Sequence, residues 1–263
     1  MNTYKDYLEN QELSNNTIEK YIKDAEQFED YRKDKPYTKD LVIDFKNYLS
    51  DQYAISTVNN KIIIVNKYLT FLNKDDLKVK LLKEQKRGSL DNVLTENDFE
   101  RLYRQAQKKG TPRDVIMLDS FYLTGLRVSE LKFVTVEALE RGYINANNKG
   151  KIRQVPISKT LEKKLKAYVK EQGITTGAII LNRSGKPLSR YYIFKRLKWL
   201  GGQARIKKDK VYPHSIRHLF SKNWLAKNGN NVLQLADILG HESLETTRVY
   251  TKLNIDELRA TMK

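Results

Sequence analysis

The stretch HSIRHLF, residues 214–220, gathers two of the chain's three histidines and an arginine within five positions, and the remaining histidine, His241, follows 23 residues later. On a helix, His214 and Arg217 are three residues apart and share a face, while His218 is turned about a residue further round. One face therefore presents an imidazole beside a guanidinium. A second arginine has a helix-start context in LTGLRVSEL (123–131). There Gly125 ends one helix, Arg127 opens the next, and Glu130 sits one turn on, where its carboxylate can orient Arg127. Two convergent arginines suit an anion with several oxygens. An arginine keeps its proton, its planar fork matches phosphate, and the pair can stabilise the extra charge of a pentavalent phosphorane.

The group that would attack such a phosphate is reached by elimination. The chain has no cysteine, which excludes disulfides, thiol nucleophiles and thiolate metal sites. No serine–base pair and no carboxylate cluster for two metal ions is recognisable. Tyrosine remains, and among 16 tyrosines Tyr250 stands out in LGHESLETTRVYTKL (239–253), where Gly240 closes a helix, His241 follows in the turn, and a short helix from Ser243 carries Tyr250. A three-histidine zinc site of His214, His218 and His241 is the rival reading. It is disfavoured because Ser215 stands where H-E-x-x-H needs glutamate and because two adjacent arginines repel a cation, so no metal is expected.

Around these residues the periodicities predict a mainly α chain with a small antiparallel β-sheet. A short helix near Tyr4–Leu8 precedes three amphipathic helices, one capped near Ser14, one opening at Pro36 and Thr38, and one over 56–72. They form a helical domain over 1–80. The polar, charged stretch KDDLKVKLLKEQKRGSLDN leads into a basic linker over 81–94, and a second domain over 95–263 opens at Thr95. Helices follow to Gly125; GYINA and RQVPI around NNKGK predict a hairpin, AIIL (178–181) a further strand, and 189–203, 214–227, 231–239 and 243–250 further helices.

Charge separates the halves more sharply than length does. Residues 1–80 hold 13 basic and 14 acidic side chains, whereas 81–263 hold 36 and 18, so the whole +17 excess lies in the second part. Within it KPLSRYYIFKRLKWLGGQARIKKDK (186–210) has nine Lys/Arg against one acidic residue, interleaved with aromatics, the footprint of a phosphate backbone. Lys186, Arg190, Lys195, Arg196, Lys198, Lys207, Lys208 and Lys210 are the expected nucleic-acid contacts. No signal or transit segment and no apolar run of about 18 residues is present, so a cytoplasmic protein without a membrane partner is expected.

In that order, TGLRVSEL (124–131), HSIRHLF (214–220) and LGHESLETTRVY (239–250) resemble the tyrosine recombinase family, also called the phage integrase family. The resemblance covers essentially the whole chain, its first part being similar to the family's SAM-like core-binding domain and its second to the catalytic domain. It implies that Arg127 and Arg217 bind the scissile phosphate, Glu130 supports Arg127, His214 assists deprotonation of the nucleophile and His241 hydrogen-bonds the phosphate. It implies Tyr250 as the nucleophile that forms a 3′-phosphotyrosyl link and frees a 5′-hydroxyl, without any cofactor. The family's general acid is a lysine in a hairpin turn. In NNKGKIRQVPI (147–157) Lys149 precedes the glycine as expected and is favoured, but the turn is a residue short and Lys151 is within reach. His218 is expected to pack behind this face.

The resemblance also implies double-stranded DNA with a specific recombination site as partner. The chain is closer to two-domain Xer-type and mobile-element recombinases than to large phage integrases with an added arm-binding domain. The tail after Tyr250 (251–263), with Leu253, Ile255, Leu258 and Met262 apolar, is expected to dock on a neighbouring protomer in a tetramer on DNA. An accessory protein or second recombinase is a possible further partner. Integration, excision or resolution is the implied function; a type IB topoisomerase-like nicking and closing enzyme and a catalytically silent DNA-binding regulator are the alternatives.

Overall fold

A computed structural model describes residues 3–84, 92–148, 150–241 and Thr247. The chain divides into two compact units, Met1–Arg87 and Gly88–Lys263. In the first, α1 (Tyr4–Glu9), α2 (Asn15–Arg32), α3 (Lys39–Gln52) and α4 (Ile55–Phe71) pack around Phe28, Phe45, Leu49, Val58, Ile62 and Leu69, all fully buried. Phe28 and Phe45 meet edge to face at 5.1 Å. Two asparagines on α4 hold the chain that leaves this unit: Asn66 exchanges hydrogen bonds with the backbone of Val79, and Asn59 does the same with Leu82. The backbone is thus bound to α4 as far as Leu82.

The second unit is built on α5 (Glu96–Lys109) and α6 (Pro112–Thr124), each opened by a threonine–aspartate capping box, Thr95 with Asp98 and Thr111 with Asp114. Pro112 at the first turn and Gly125 in the left-handed region (φ 64°) bracket α6, whose Met117, Leu118 and Phe121 form the centre of the core. Then come a 3₁₀ segment (Val128–Phe133), α7 (Val136–Arg141) and a two-stranded antiparallel sheet of β1 (Tyr143–Asn148) and β2 (Lys151–Pro156), registered Ile144↔Val155 and Ala146↔Arg153. α8 (Lys159–Gln172), α9 (Arg190–Gln203), α10 (Pro213–Lys227) and α11 (Val232–Leu239) complete it. Among the described residues no helix is long and apolar enough to cross a membrane.

Three features differ from the sequence expectation. α8 was not anticipated: its stripe of Leu161, Leu165 and Tyr168 is narrow and embedded among lysines, although Ser158 caps its start and Gly173 (φ 64°) ends it. α7 was likewise not expected from the sequence. AIIL is not a strand but carries single bridges, Thr135↔Ala178 and Leu181↔Pro187; Ile179 and Ile180 are simply core residues, and Pro187 has no N–H to extend the pairing. Apart from Thr247, which is helical and buried, the expected helix over 243–250 lies outside the described residues, as do Lys149, Tyr250 and the tail.

Gly125 has two reasons to be glycine. Its φ is left-handed, and a Cβ there would lie 2.4 Å from the Phe220 ring, whereas at Gly142 (φ 83°) a Cβ would meet nothing within 4 Å. Gly125→Ala is therefore expected to lose about 2–4 kcal/mol in urea unfolding, from backbone strain plus overpacking, and Gly142→Ala only about 1–2 kcal/mol. Equal losses would show that the Phe220 contact relaxes without cost.

Candidate functional site

Of the residues read from the sequence, Arg127, Arg217 and His241 meet at the end of α11. A helix leaves its last carbonyls without partners inside the helix and carries partial negative charge there. Here three successive carbonyls are taken by three different arginines: Ile238 O accepts from Arg153 Nε at 2.7 Å, Leu239 O from Arg217 Nη2 at 2.7 Å, and Gly240 O from Arg127 Nη2 at 3.0 Å. Arg217, on α10, is 1% exposed and also donates Nη1 to Gly125 O at 2.7 Å, so it ties the end of α6 to the end of α11.

One carboxylate offsets part of this charge. Glu130 is completely buried, and each of its oxygens accepts twice: Oε1 from Arg127 Nη1 (3.0 Å) and Arg153 Nη1 (2.7 Å), Oε2 from the Arg127 backbone N–H (2.8 Å) and Arg153 Nη2 (2.8 Å). Burial works to raise its pKa, but the Arg153 and Arg127 hydrogen bonds and charges outweigh it and hold the group down at about 2. Arg127, the residue before the 3₁₀ segment rather than the first of an α-helix, keeps part of its guanidinium at the surface, its side chain being 27% exposed.

The three histidines line the same region. His241 follows Gly240; its Nε2 lies 3.1 Å from Arg217 Nη2 and its Nδ1 2.8 Å from Thr247 Oγ1. Arginine can only donate, so Nε2 is the acceptor and the proton sits on Nδ1. Burial first, then the charges of Arg217, Arg127 and their neighbours, lower its pKa to about 4. His214 stands exposed at the start of α10, its pKa lowered by crowding around the ring and then by Arg217 and Arg127. His218 packs edge-on beneath it, ring centroids 4.3 Å apart, with its pKa lowered to about 4, chiefly by burial. Among the described residues no group of three or more His, Asp or Glu side chains could hold a metal ion.

The basic stretch is less uniform than its sequence suggests. Lys186, Arg190, Lys195, Lys207 and Lys208 are exposed. Arg196, expected among the DNA contacts, instead holds the fold: it forks onto buried Asp114 at 2.8 and 2.9 Å and stacks over Trp199 at 4.2 Å. Lys198 donates to Lys208 O, and Lys210 lies 3.6 Å from Asp98. Arg153 was missed altogether. Its one indication in the sequence was strand alternation: Val155 faces inward and Ile152 is 67% exposed, so Arg153 points the same way as Val155 and needs an acid.

Three arginines and the His241 imidazole gathered at one helix end suit an anion with several oxygens. The chain belongs to the phage integrase family, whose pattern matches residues 92–257, with the family's N-terminal SAM-like domain matching 1–75. Tyrosine recombinase XerD of Halalkalibacterium halodurans is 29% identical over 275 residues, covering 94% of this chain and 90% of that protein. The crystal structure of XerA recombinase is similar at 25% identity and a TM-score of 0.57, covering 97% of this chain and 94% of that one. A lambda integrase (75–356) dimer bound to a COC′ core site shares the fold at a TM-score of 0.79 and 15% identity, covering 96% of each chain.

The histidine environments carry a pH signature. Against an ordinary value of 6.5, His218 and His241 both fall to about 4 when folded. The unfolded state then binds more protons between about pH 6.5 and 4, so their contribution to stability is present above that window and is lost as pH falls through it. Urea unfolding at pH 7 and pH 5 is expected to differ by on the order of 1–2 kcal/mol per histidine, and side-chain NMR should show both rings neutral at pH 6. A midpoint near 6.5 for either ring would contradict the buried geometry.

Proposed function

We propose that the chain is a site-specific DNA recombinase that cleaves and rejoins DNA strands through a 3′-phosphotyrosyl intermediate. The observation that carries this reading is the convergence of Arg127, Arg217 and His241 on the end of α11 around buried Glu130, a rigid cationic site suited to one phosphate. Membership of the phage integrase family and the resemblance to XerD recombinases support it. The runner-up readings, strand relaxation without exchange and silent DNA binding, have no observation in their favour.

In this reaction the Tyr250 oxygen attacks the scissile phosphorus, and its proton passes to a base for which His214 is the candidate. A free tyrosine has a pKa of ~10, so attack at neutral pH needs cationic surroundings. Arg127 and Arg217 stabilise the charge of the phosphorane, and the P–O5′ bond breaks as a lysine protonates the departing oxygen. Lys149 is that lysine; Lys151, on the same face of β2 as Arg153, is its alternative. The phosphotyrosine retains the bond energy, so the 5′-hydroxyl of a partner duplex can attack it and rejoin strands without ATP or metal.

The substrate is double-stranded DNA carrying a recombination site, contacted by the exposed lysines and arginines of the stretch 186–210, and the active assembly is a tetramer on DNA. The tail 251–263 joins neighbouring protomers. Incubation with suicide substrates in EDTA is expected to give a covalent complex on a denaturing gel for the wild type and none for Tyr250→Phe. A complex that persists in Tyr250→Phe would move the nucleophile elsewhere, and tight binding without any complex would favour the silent binder. Deleting residues 253–263 should leave binding of one duplex unchanged and abolish synapsis; intact synapsis would remove the tail from the assembly.

A further inference from the structure

Arg153 has no part in the chemistry set out above, yet every nitrogen of its guanidinium is committed. Nη1 and Nη2 fork onto the two oxygens of Glu130 at 2.7 and 2.8 Å, and Nε donates to Ile238 O at 2.7 Å. Its side chain is 12% exposed, and its stem lies against the α11 turn so closely that a Cβ at Gly240 would be 2.6 Å from Arg153 Cδ. Fully buried Ala146 is its partner across the sheet. A planar fork with a third directed bond fixes orientation as well as distance, which a lysine ammonium in the same place cannot do.

The elements that Arg153 connects are those that carry the proposed chemistry. β2 pairs with β1 along its length, from Tyr143↔Pro156 to Asn148↔Lys151, so whatever anchors Arg153 anchors the hairpin, including Lys151 at the start of β2. Glu130 is shared with Arg127, and Ile238 directly precedes the carbonyls that hold Arg217 and Arg127. Stability alone does not call for such an arrangement, because well-packed apolar residues commonly equal or exceed a buried ion pair. We propose that Arg153 is a positioning residue that clamps the β1–β2 hairpin to the Arg127–Glu130 pair and to the end of α11, so that the hairpin lysine is held in register with the phosphate-gripping arginines. Its effect on the reaction rests on the recombinase reading; the clamp itself does not.

The test uses the full chain and its Arg153→Lys and Arg153→Met variants on suicide substrates with an ordinary phosphodiester or with sulfur replacing the bridging 5′-oxygen. Sulfur departs without a proton, so Lys149→Ala and Lys151→Ala measured alongside identify the acid by which of them the sulfur rescues. Both Arg153 variants should bind DNA within about twofold of the wild type, form the covalent complex about 100-fold more slowly on the ordinary substrate, and recover to within about threefold on the sulfur substrate. Equal slowing on both substrates would overturn the proposal, because Arg153 would then act on the arginines or on folding and not on the lysine. Hydrogen exchange reads the clamp without activity: Arg153→Met should speed exchange of the 143–156 amides about tenfold with α5 and α6 unchanged, and an unchanged hairpin would overturn it. In the wild type a protected Arg153 Nε–H resonance is expected, and a rapidly exchanging one would count against the clamp even if the variants failed to fold. If the wild type forms no covalent complex, the recombinase reading fails, while exchange and NMR still decide the clamp.

Discussion

The last turn of α11 is the constraint from which the rest of the second unit follows. Like charges at contact distance repel by a few kcal/mol per pair even at an intermediate dielectric, so three arginines do not gather without compensation. Two sources supply it. Glu130 provides a full negative charge that four N–H groups saturate, and the helix end provides three carbonyls at Ile238, Leu239 and Gly240, each already oriented by the helix. The compensation is partial, since three guanidinium ions face one carboxylate. An anion that enters such a site meets donors already fixed in place and relieves repulsion instead of having to order flexible side chains.

That requirement explains the glycines on either side. Gly125 and Gly240 both take left-handed backbone at helix ends, and both are approached by side chains that leave no room for a Cβ, Phe220 in one case and Arg153 in the other. Each also presents a carbonyl to an arginine, Gly125 to Arg217 and Gly240 to Arg127. The glycines therefore let two helices stop abruptly enough for their ends to be used as ligands for cations.

What was legible in the sequence was what is local. Glu130 is three residues from Arg127, and His214 three from Arg217, so helical spacing alone brought each pair together; Gly125 and Gly240 announced the helix ends. That Arg127, Arg217 and His241 come together was expected from a recognisable family pattern rather than from spacing. Arg153 escaped because its acid lies 23 residues earlier, before α7 and β1, and strand alternation, its one local sign, is a weak one. Arg196 misled for the converse reason: its basic neighbours made it resemble a phosphate contact, while Asp114, 82 residues earlier, claims its fork. α8 was hidden by lysines that cover the flanks of its narrow apolar stripe. Charge patterns show where cations are in the chain, but only folding shows which of them are already paired.

His241 shows how the same geometry bears on the reaction. With Nε2 accepting from Arg217 and Nδ1–H directed to Thr247, the ring is neutral and, at Nε2, an acceptor; it cannot in that state donate from Nε2 to a phosphate oxygen. Burial first, and then the arginine charges, keep it neutral, and the second of these is what a bound phosphate would offset. As an oxyanion takes over Arg217 Nη2, the ring loses its hydrogen-bond donor and much of its electrostatic penalty together, so a change of tautomer or uptake of a proton becomes easier when an N–H at Nε2 is needed. A hydrogen-bonding role for His241 therefore belongs to the phosphate-bound state, and the free protein holds the residue ready in the opposite sense.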